Sequence, residues 1–280
     1  MEQNRVQALK LQAAKIRKEA LKAIQSAKSG HVGGSFSAAD ILTVLYFEKM
    51  NIDPTQPDME DRDRFVLSKG HCTPAMYATL ATRGYFPVKD LLTFRNIESN
   101  LSGHVEMNNV PGVDMSAGSL GQGFSAAVGM ALSAKVYKKN NRVFAVLGDG
   151  EIQEGQVWEA AMAAGNYKLD NLVAFVDNNN LQIDGTIEEV MSPYPIAEKF
   201  KAFKWNVITI DGHDMKQISD AIDQAAQIKN APTMIVAKTV KGKGVSFMEN
   251  NVKYHGNTPN ADEYVIAFKE LDDAIAKLEV

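Results

Sequence analysis

Two polar segments that follow short apolar runs carry residue types that bind a hard cation. Asp149 lies in Gly148-Asp149-Gly150, directly after residues 143–147, and Asn179 follows residues 172–176. Runs of this length and composition predict buried parallel strands, whose carboxyl ends meet at one edge of a sheet. A carboxylate and an amide oxygen would then face one ion, and few oxygen ligands suit Mg²⁺ with phosphate oxygens completing its shell. The spacing therefore predicts a metal and diphosphate site.

Four of the five histidines lie in loops that also contain glycine: His31, His71, His104 and His255. Imidazoles that converge on a polar pocket bind hydroxyls and phosphates and move protons near neutral pH. His71 and His104 also follow strand or loop ends on the side where Gly148-Asp149-Gly150 lies, so we predict that these two belong to the site and treat His31 and His255 as further candidates. The fifth histidine, His213, lies in an Asx-rich turn that has a structural explanation, and it is left out of the predicted site.

A further glycine-rich passage precedes a predicted helix at residues 124–137. Gly118, Gly121 and Gly123 would leave backbone N–H groups free to face an anion near the helix N-terminus. This passage is a second candidate element of a phosphate site.

The elements that position these residues alternate between apolar strands and helices. Strands are predicted at residues 65–67, 143–147, 172–176, 206–210 and 233–237, and helices at 1–21, 37–50, from 74, 124–137, 155–167, 215–229 and 262–278. Ser37 is the predicted N-cap of the second helix, with Asp40 as the capping-box acid. The pattern predicts an α/β fold with one domain over residues 1–280.

The amino-acid composition excludes several classes of protein and disfavours others. The 280 residues are 45% hydrophobic and 23% charged, with a net charge of −4, which disfavours a nucleic-acid binder. Cys72 is the single cysteine, so a disulfide scaffold is excluded and a reducing compartment is expected. No apolar run approaches membrane-spanning length, and the charged N-terminal segment differs from a signal peptide. We expect a cytoplasmic protein that binds neither nucleic acid nor membrane.

Taken in order, these motifs resemble the N-terminal half of the transketolases over nearly the whole chain. The matching segments are Ser29-Gly30-His31, Leu67-Ser68-Lys69-Gly70-His71, Gly103-His104, Gly118-Ser119-Leu120-Gly121-Gln122-Gly123, Gly148-Asp149-Gly150, Gln153-Glu154-Gly155 and residues 179–185. The resemblance implies a doubly wound, mostly parallel sheet flanked by helices that binds the diphosphate of thiamine diphosphate. It also implies that Asp149, the Asn179 side chain and the Leu181 backbone carbonyl hold Mg²⁺, with Ca²⁺ as an alternative.

The resemblance assigns further roles residue by residue. Cofactor contacts are implied for His71, Gly118, Ser119, Leu120, Gly150, Glu154, Asn179 and His255. Glu154 matches the family's glutamate that links two cofactor sites across a dimer, and it joins His31, His71, His104 and His255 as a catalytic candidate. The histidines would face substrate hydroxyls, with His71 near the diphosphate.

The resemblance stops short of the family's full length. Transketolases carry pyrimidine-binding and C-terminal domains, which we expect to lie on a separate chain. We therefore expect an N-terminal subunit that transfers a two-carbon ketol unit between sugar phosphates only with a separate C-terminal subunit, in an α2β2 assembly. The sugar itself is left open, between the pentose phosphate route and a dedicated sugar catabolic route.

Two other interpretations remain open from the sequence. One keeps the cofactor but changes the reaction, to a subunit of a 2-oxo acid dehydrogenase or of a deoxyxylulose phosphate synthase. The other is a non-catalytic scaffold derived from such an enzyme. The loop histidines disfavour the dehydrogenase, because sugar hydroxyls require them and an acyl-lipoyl arm does not. The presence of Asp149 and Asn179 disfavours the scaffold.

Overall fold

A five-stranded parallel sheet forms the centre of the part that the computed structural model describes, residues 1–279. The strands are β1 (Arg64–Leu67), β2 (Val143–Gly148), β3 (Leu172–Asn178), β6 (Asn206–Asp211) and β7 (Thr233–Lys238), and β4 (Leu181–Gln182) pairs with β5 (Gly185–Thr186) in a small antiparallel hairpin. The order across the sheet is β1-β2-β3-β7-β6, with every neighbouring pair parallel. The predicted strands are thus confirmed to within two residues at each end.

Helices cover both faces of this sheet. They are α1 (Gln3–Ala27), α2 (Val32–Val44), α3 (Thr73–Arg83), α4 (Gln122–Val136), α5 (Gly155–Asn166), α6 (Ile187–Met191), α7 (Ile196–Ala202), α8 (Met215–Gln227) and α9 (Ala261–Leu278). One apolar core packs α1, α2, α3, α8 and α9 against one face, and a second packs α4, α5 and α7 against the other. Within residues 1–279, no helix has the length and apolar character required to cross a membrane.

The central strands are apolar on both sides because both sides are covered. In β2, Phe144 and Val146 belong to the first core, whereas Val143, Ala145 and Leu147 belong to the second. This arrangement explains why the strands appear in the sequence as continuous apolar runs. The prediction of a doubly wound parallel sheet is confirmed.

The start of α2 differs from its prediction. The helix begins at Val32 and not at Ser37, so residues predicted as a glycine-rich loop form its first turn. Glycine is needed there for close packing, because a Cβ at Gly33 would lie 2.8 Å from the Tyr254 carbonyl oxygen. Ser37 donates to Asp177, and Asp40 pairs with Arg17, so neither residue caps the helix.

Candidate functional site

The predicted site residues meet in one cavity of about 350 Å³ at the carboxyl ends of β1, β2 and β3. We call it the histidine cavity. Its lining includes His31, His71, His104, His255, Gly118, Leu120, Asp149, Gly150, Glu154, Asn179 and Leu181, together with Lys69 and Lys241. Ser119 is exposed and does not line the cavity, although both of its neighbours do. Loops that are distant in the sequence therefore converge on one space.

Three of the histidines form a contact cluster. The His31 ring centroid lies 5.0 Å from that of His71 and 5.6 Å from that of His255, and the His71 and His255 rings are 5.5 Å apart. Within the described part of the chain, His31 Nδ1 is buried without a hydrogen-bond partner. Such an atom is available to a bound hydroxyl or phosphate.

The pKa values of this cluster are lowered by burial and by nearby cations. Burial, followed by Arg95, lowers the pKa of His31 to about 4, and burial together with Lys241 lowers that of His255 to about 3. The pKa of His71 is also well below its ordinary value, because of burial and Lys69. The three rings are therefore neutral at pH 7, and each offers one donor and one acceptor nitrogen.

His104 lies apart from the cluster, at the mouth of the cavity. Its side chain is exposed, and a Cβ built on Gly118 would lie 3.5 Å from its ring. Glu154 is likewise exposed at the cavity edge, where it directly precedes α5. Both residues can therefore be reached by a molecule that enters from outside.

Each of the three predicted metal ligands has an oxygen atom that could face a cation. Asp149 is buried and accepts hydrogen bonds from Asn178 Nδ2 at 3.0 Å and from the Asn180 backbone N–H at 2.5 Å. Burial, followed by the negative charge of Asp177, raises the pKa of Asp149 to about 6. A cation bound beside this carboxylate would offset both effects.

A positive group already contacts one of these predicted ligands. The Lys241 ammonium donates to the Leu181 carbonyl oxygen at 2.9 Å and to His255 Nδ1 at 2.8 Å. The Leu181 carbonyl oxygen thus already contacts a positive charge. A ligand set of one carboxylate oxygen, one amide oxygen and one carbonyl oxygen fits a hard cation. No three His, Cys, Asp or Glu side chains converge on a metal position within residues 1–279. The residues therefore fit the implied metal.

Glu151 connects three of the site loops through hydrogen bonds to its buried side chain. Its buried carboxylate accepts hydrogen bonds from the backbone N–H groups of Gly121 at 2.9 Å and Gly148 at 3.0 Å, and from the Ser68 hydroxyl at 2.5 Å. Burial raises the pKa of Glu151. The expectation of a free N–H at Gly121 is therefore wrong, because an internal carboxylate occupies it.

Gly123 also serves packing. A Cβ at this position would lie 2.8 Å from the Ser68 Cα, so glycine lets α4 approach the end of β1. Of the three glycines in this passage, only Gly118 lines the cavity. The passage positions α4 more than it presents free donors.

Sequence reasoning missed four charged residues that the fold buries here: Lys69, Glu151, Asp177 and Lys241. Lys69 Nζ lies 2.5 Å from Asp177 Oδ2, and Lys241 lies beside His255. Lys69 was visible inside the Ser-Lys-Gly-His segment, and Lys241 inside a Lys/Gly-rich loop. In the sequence, each of these lysines resembles an ordinary surface lysine, because the segments that bury it are distant along the chain.

A parallel sheet with a polar, histidine-lined cavity at its carboxyl edge defines an α/β enzyme domain of the cofactor-binding class. Residues 9–271 match the family described as transketolase, thiamine diphosphate binding domain. The chain belongs to the transketolase family of transferases.

Similar proteins of nearly the same length are named as subunits. The chain is 46% identical over 264 residues to a 6-deoxy-6-sulfo-D-fructose transketolase subunit of Clostridium sp. (strain MSTE9), covering 94% of this chain and 96% of that protein. It is 43% identical over 274 residues to an apulose-4-phosphate transketolase subunit of Phocaeicola vulgatus, covering 98% and 97% respectively.

Solved transketolases share the fold but are longer. The enzyme from Campylobacter jejuni matches with a TM-score of 0.86 and 31% identity, covering 100% of this chain and 48% of that chain. The enzyme from Leishmania mexicana matches with a TM-score of 0.85 and 30% identity, covering 97% and 45%. The chain thus spans less than half the length of these solved structures.

Proposed function

We propose that this chain is the N-terminal subunit of a two-subunit transketolase that transfers a two-carbon ketol unit from a ketose phosphate to an aldose phosphate. The observation that carries the proposal is the histidine cavity, in which four loop histidines lie with one buried carboxylate at the carboxyl edge of the sheet. The similar proteins named as subunits support the two-subunit form, because the alignments span 96% and 97% of their lengths.

Thiamine diphosphate and a divalent cation belong to this proposal. Asp149, the Asn179 side chain and the Leu181 carbonyl would hold Mg²⁺ or Ca²⁺, since all three offer oxygen and all three residues line the histidine cavity. Gly118, Ser119, Leu120, Gly150, His71 and His255 would contact the cofactor. When bound, thiamine diphosphate supplies the stabilised carbanion that the transfer of a ketol unit requires.

The chain's own residues would bind the sugar and move its protons. The rings of His31 and His255 are neutral at pH 7 because burial lowers their pKa values to about 4 and about 3. A neutral imidazole accepts a proton at one nitrogen and donates at the other. His255 Nδ1 already accepts from Lys241, so this ring would donate to a sugar oxygen, whereas His31 Nδ1 has no partner within the described residues and can take either part. His104, exposed at the cavity mouth, is positioned to meet substrate first. His71, deeper in the cluster, would serve the diphosphate.

The partner and the setting are also proposed. A C-terminal subunit would supply the pyrimidine-binding and C-terminal domains in an α2β2 assembly, and the exposed Glu154 would link cofactor sites across the contact between copies. The substrate is a pentose phosphate or a less common sugar of the kind in the relatives' names, 6-deoxy-6-sulfofructose or apulose 4-phosphate. A cytoplasmic location accords with the buried free thiol of Cys72.

The test is a coupled transfer assay with thiamine diphosphate and Mg²⁺. The chain is assayed alone, and then with the product of the neighbouring gene, against xylulose 5-phosphate, 6-deoxy-6-sulfofructose and apulose 4-phosphate with an aldose phosphate acceptor. A parallel panel of 2-oxo acids tests the dehydrogenase reaction. The proposal expects transfer from a ketose only in the mixture.

Two outcomes would count against the proposal. Full activity of the chain alone would contradict the two-subunit form. Turnover of 2-oxo acids without any ketose transfer would contradict the reaction. His104→Asn serves as the internal check, because loss of a hydroxyl-binding imidazole should raise the KM for the sugar at unchanged cofactor affinity.

A further inference from the structure

Asp177 is a buried carboxylate with a fixed set of donors behind the cavity. It lies near the end of β3, in register with Gly148 and Ala237, and is fully buried. Its Oδ2 accepts from Lys69 Nζ at 2.5 Å and from the Ser37 hydroxyl at 2.6 Å, and its Oδ1 accepts from the Thr239 hydroxyl. Burial raises the pKa of Asp177, but Lys69 and these hydrogen bonds outweigh burial and keep the pKa below its ordinary value.

The same carboxylate faces the amide of Asn179. Asn179 Nδ2 lies 3.4 Å from Asp177 Oδ2 and 3.5 Å from the Ser37 hydroxyl oxygen. The two ends of an amide differ, because the nitrogen donates and the oxygen accepts. If the amide were reversed, its oxygen would meet a carboxylate oxygen and repel it. The charge of Asp177 therefore selects one orientation.

This orientation leaves the amide oxygen directed away from Asp177. Asn179 Oδ1 accepts from the Leu181 backbone N–H at 3.2 Å, on the segment that carries the other predicted carbonyl ligand. A divalent cation needs oxygen here, since an amide nitrogen with its two hydrogens has no free lone pair to offer. The selected orientation is thus the one that binds a metal.

We infer that Asp177, through its buried ion pair with Lys69, is a positioning residue that holds the Asn179 amide with its oxygen toward the metal site. The inference rests on the proposed function, since it assigns a role toward the cation of that site. A buried ion pair adds little stability compared with apolar side chains of the same volume. Orientation of a metal ligand by an outer carboxylate gives this pair a role that apolar packing does not supply.

The test measures metal binding and not turnover. Mn²⁺ is titrated into the full chain mixed with thiamine diphosphate and its partner subunit, and electron paramagnetic resonance reports the free Mn²⁺. In the paired variant Lys69→Met/Asp177→Leu both charges leave together, so no unpaired charge stays buried. We expect its Kd for Mn²⁺ to rise about 10- to 100-fold, as for other outer residues of metal sites.

Two variants provide matched controls. Thr239→Val removes a hydrogen bond to the same carboxylate, but from the oxygen that does not face Asn179. Its Kd for Mn²⁺ should stay within about twofold of wild type while the melting temperature falls. Asp177→Asn keeps an acceptor oxygen for Asn179 but loses the charge and the ion pair with Lys69, so its Kd for Mn²⁺ should also rise, though by less than that of the paired variant.

Several results would overturn the inference. A folded paired variant with wild-type Mn²⁺ affinity would do so, as would Thr239→Val weakening binding as much as the paired variant. If the wild-type mixture binds thiamine diphosphate but no Mn²⁺, the metal site of the proposed function fails as well. Neutron diffraction needs no variant, because it distinguishes the nitrogen of Asn179 from the oxygen; a nitrogen directed at the metal site would contradict the inference.

Discussion

Asp149 shows how the environment of a single residue prepares it for a cation. Its Oδ1 accepts from the Gly150 backbone N–H at 2.9 Å, and its Oδ2 accepts from Asn178 and Asn180. These donors orient the carboxylate but do not neutralise it, and the pKa stays raised at about 6 because burial and Asp177 dominate. A cation bound beside this carboxylate would lower its pKa.

At this scale we predict that Asp149→Asn abolishes tight metal binding. The new NH₂ group would face the donors of Asn178 and Asn180 or of Gly150, so the side chain would lose both its charge and its orientation. We expect the Kd for Mg²⁺, measured by calorimetry with saturating thiamine diphosphate on the chain and its partner, to rise about 100-fold or more.

Asp184→Asn is the matched control for this measurement. Asp184 is an exposed carboxylate that also lines the histidine cavity, but it has no predicted role with the metal. Its Kd for Mg²⁺ should stay within about twofold of wild type, as expected for a solvent-screened charge. Equal effects of the two substitutions would show that the negative charge of the cavity, and not the ligand set, attracts the cation.

At the scale of elements, one glycine in α4 and one in α5 differ in how closely other atoms approach them. A Cβ at Gly165, near the end of α5, would lie 1.8 Å from the Phe203 carbonyl oxygen, which directly follows α7. A Cβ at Gly129, in the middle of α4, would meet no atom within 4 Å. Gly165 permits a close contact between two elements, whereas Gly129 contributes only backbone freedom.

Alanine substitutions at these two glycines should have opposite effects. Gly165→Ala forces the backbone of α5 and the turn after α7 apart, and we expect the free energy of unfolding to fall by about 1–3 kcal/mol. Gly129→Ala should raise it by about 0.5–1 kcal/mol, because alanine loses less entropy in a helix. Urea titrations followed by circular dichroism would measure both. Destabilisation by both substitutions to the same extent would contradict the distinction.

At the scale of the whole molecule, the buried histidines link stability to pH. The unfolded chain binds protons at His31 and His255 near their ordinary pKa of 6.5, but the folded chain binds them only near pH 4 and pH 3. The unfolded state therefore holds more protons between about pH 6.5 and pH 4, and the free energy of unfolding falls as pH falls through this window. Asp149 opposes this trend, since its raised pKa lets the folded state take up a proton first.

We predict that the double variant His31→Asn/His255→Asn has a flatter pH dependence of stability than wild type. Urea unfolding at pH 7, 6 and 5 would measure the difference, and the two curves should diverge as pH falls. Gly129→Ala is the control, because it changes stability without removing a titratable group and should shift the curve without changing its slope. Parallel curves for wild type and the double variant would refute the assigned cause.

Much of the site was predictable because its residues follow strands. In a parallel sheet every strand ends at the same edge, and a single helix joins β2 to β3, which predicts that Asp149 and Asn179 lie side by side. The pairing of β2 with β3 confirms that the two strands are neighbours. The glycines beside the four histidines likewise indicated segments that converge on this edge, although only His104 is exposed there. The sequence by itself therefore determined the fold class, the edge of the sheet that carries the site and most of the lining residues.

Only the tertiary structure decided which charges are buried and how they pair. Lys69 meets Asp177 across 108 positions of sequence, and Glu151 meets Gly121 across 30. Whether a lysine or a glutamate is exposed or buried depends on the segments that pack over it in the fold. The residues next to it in the sequence do not identify those segments. The same reason explains α2, whose glycine-rich start resembles a loop but forms a helix because Tyr254 and Cys72 pack directly against it.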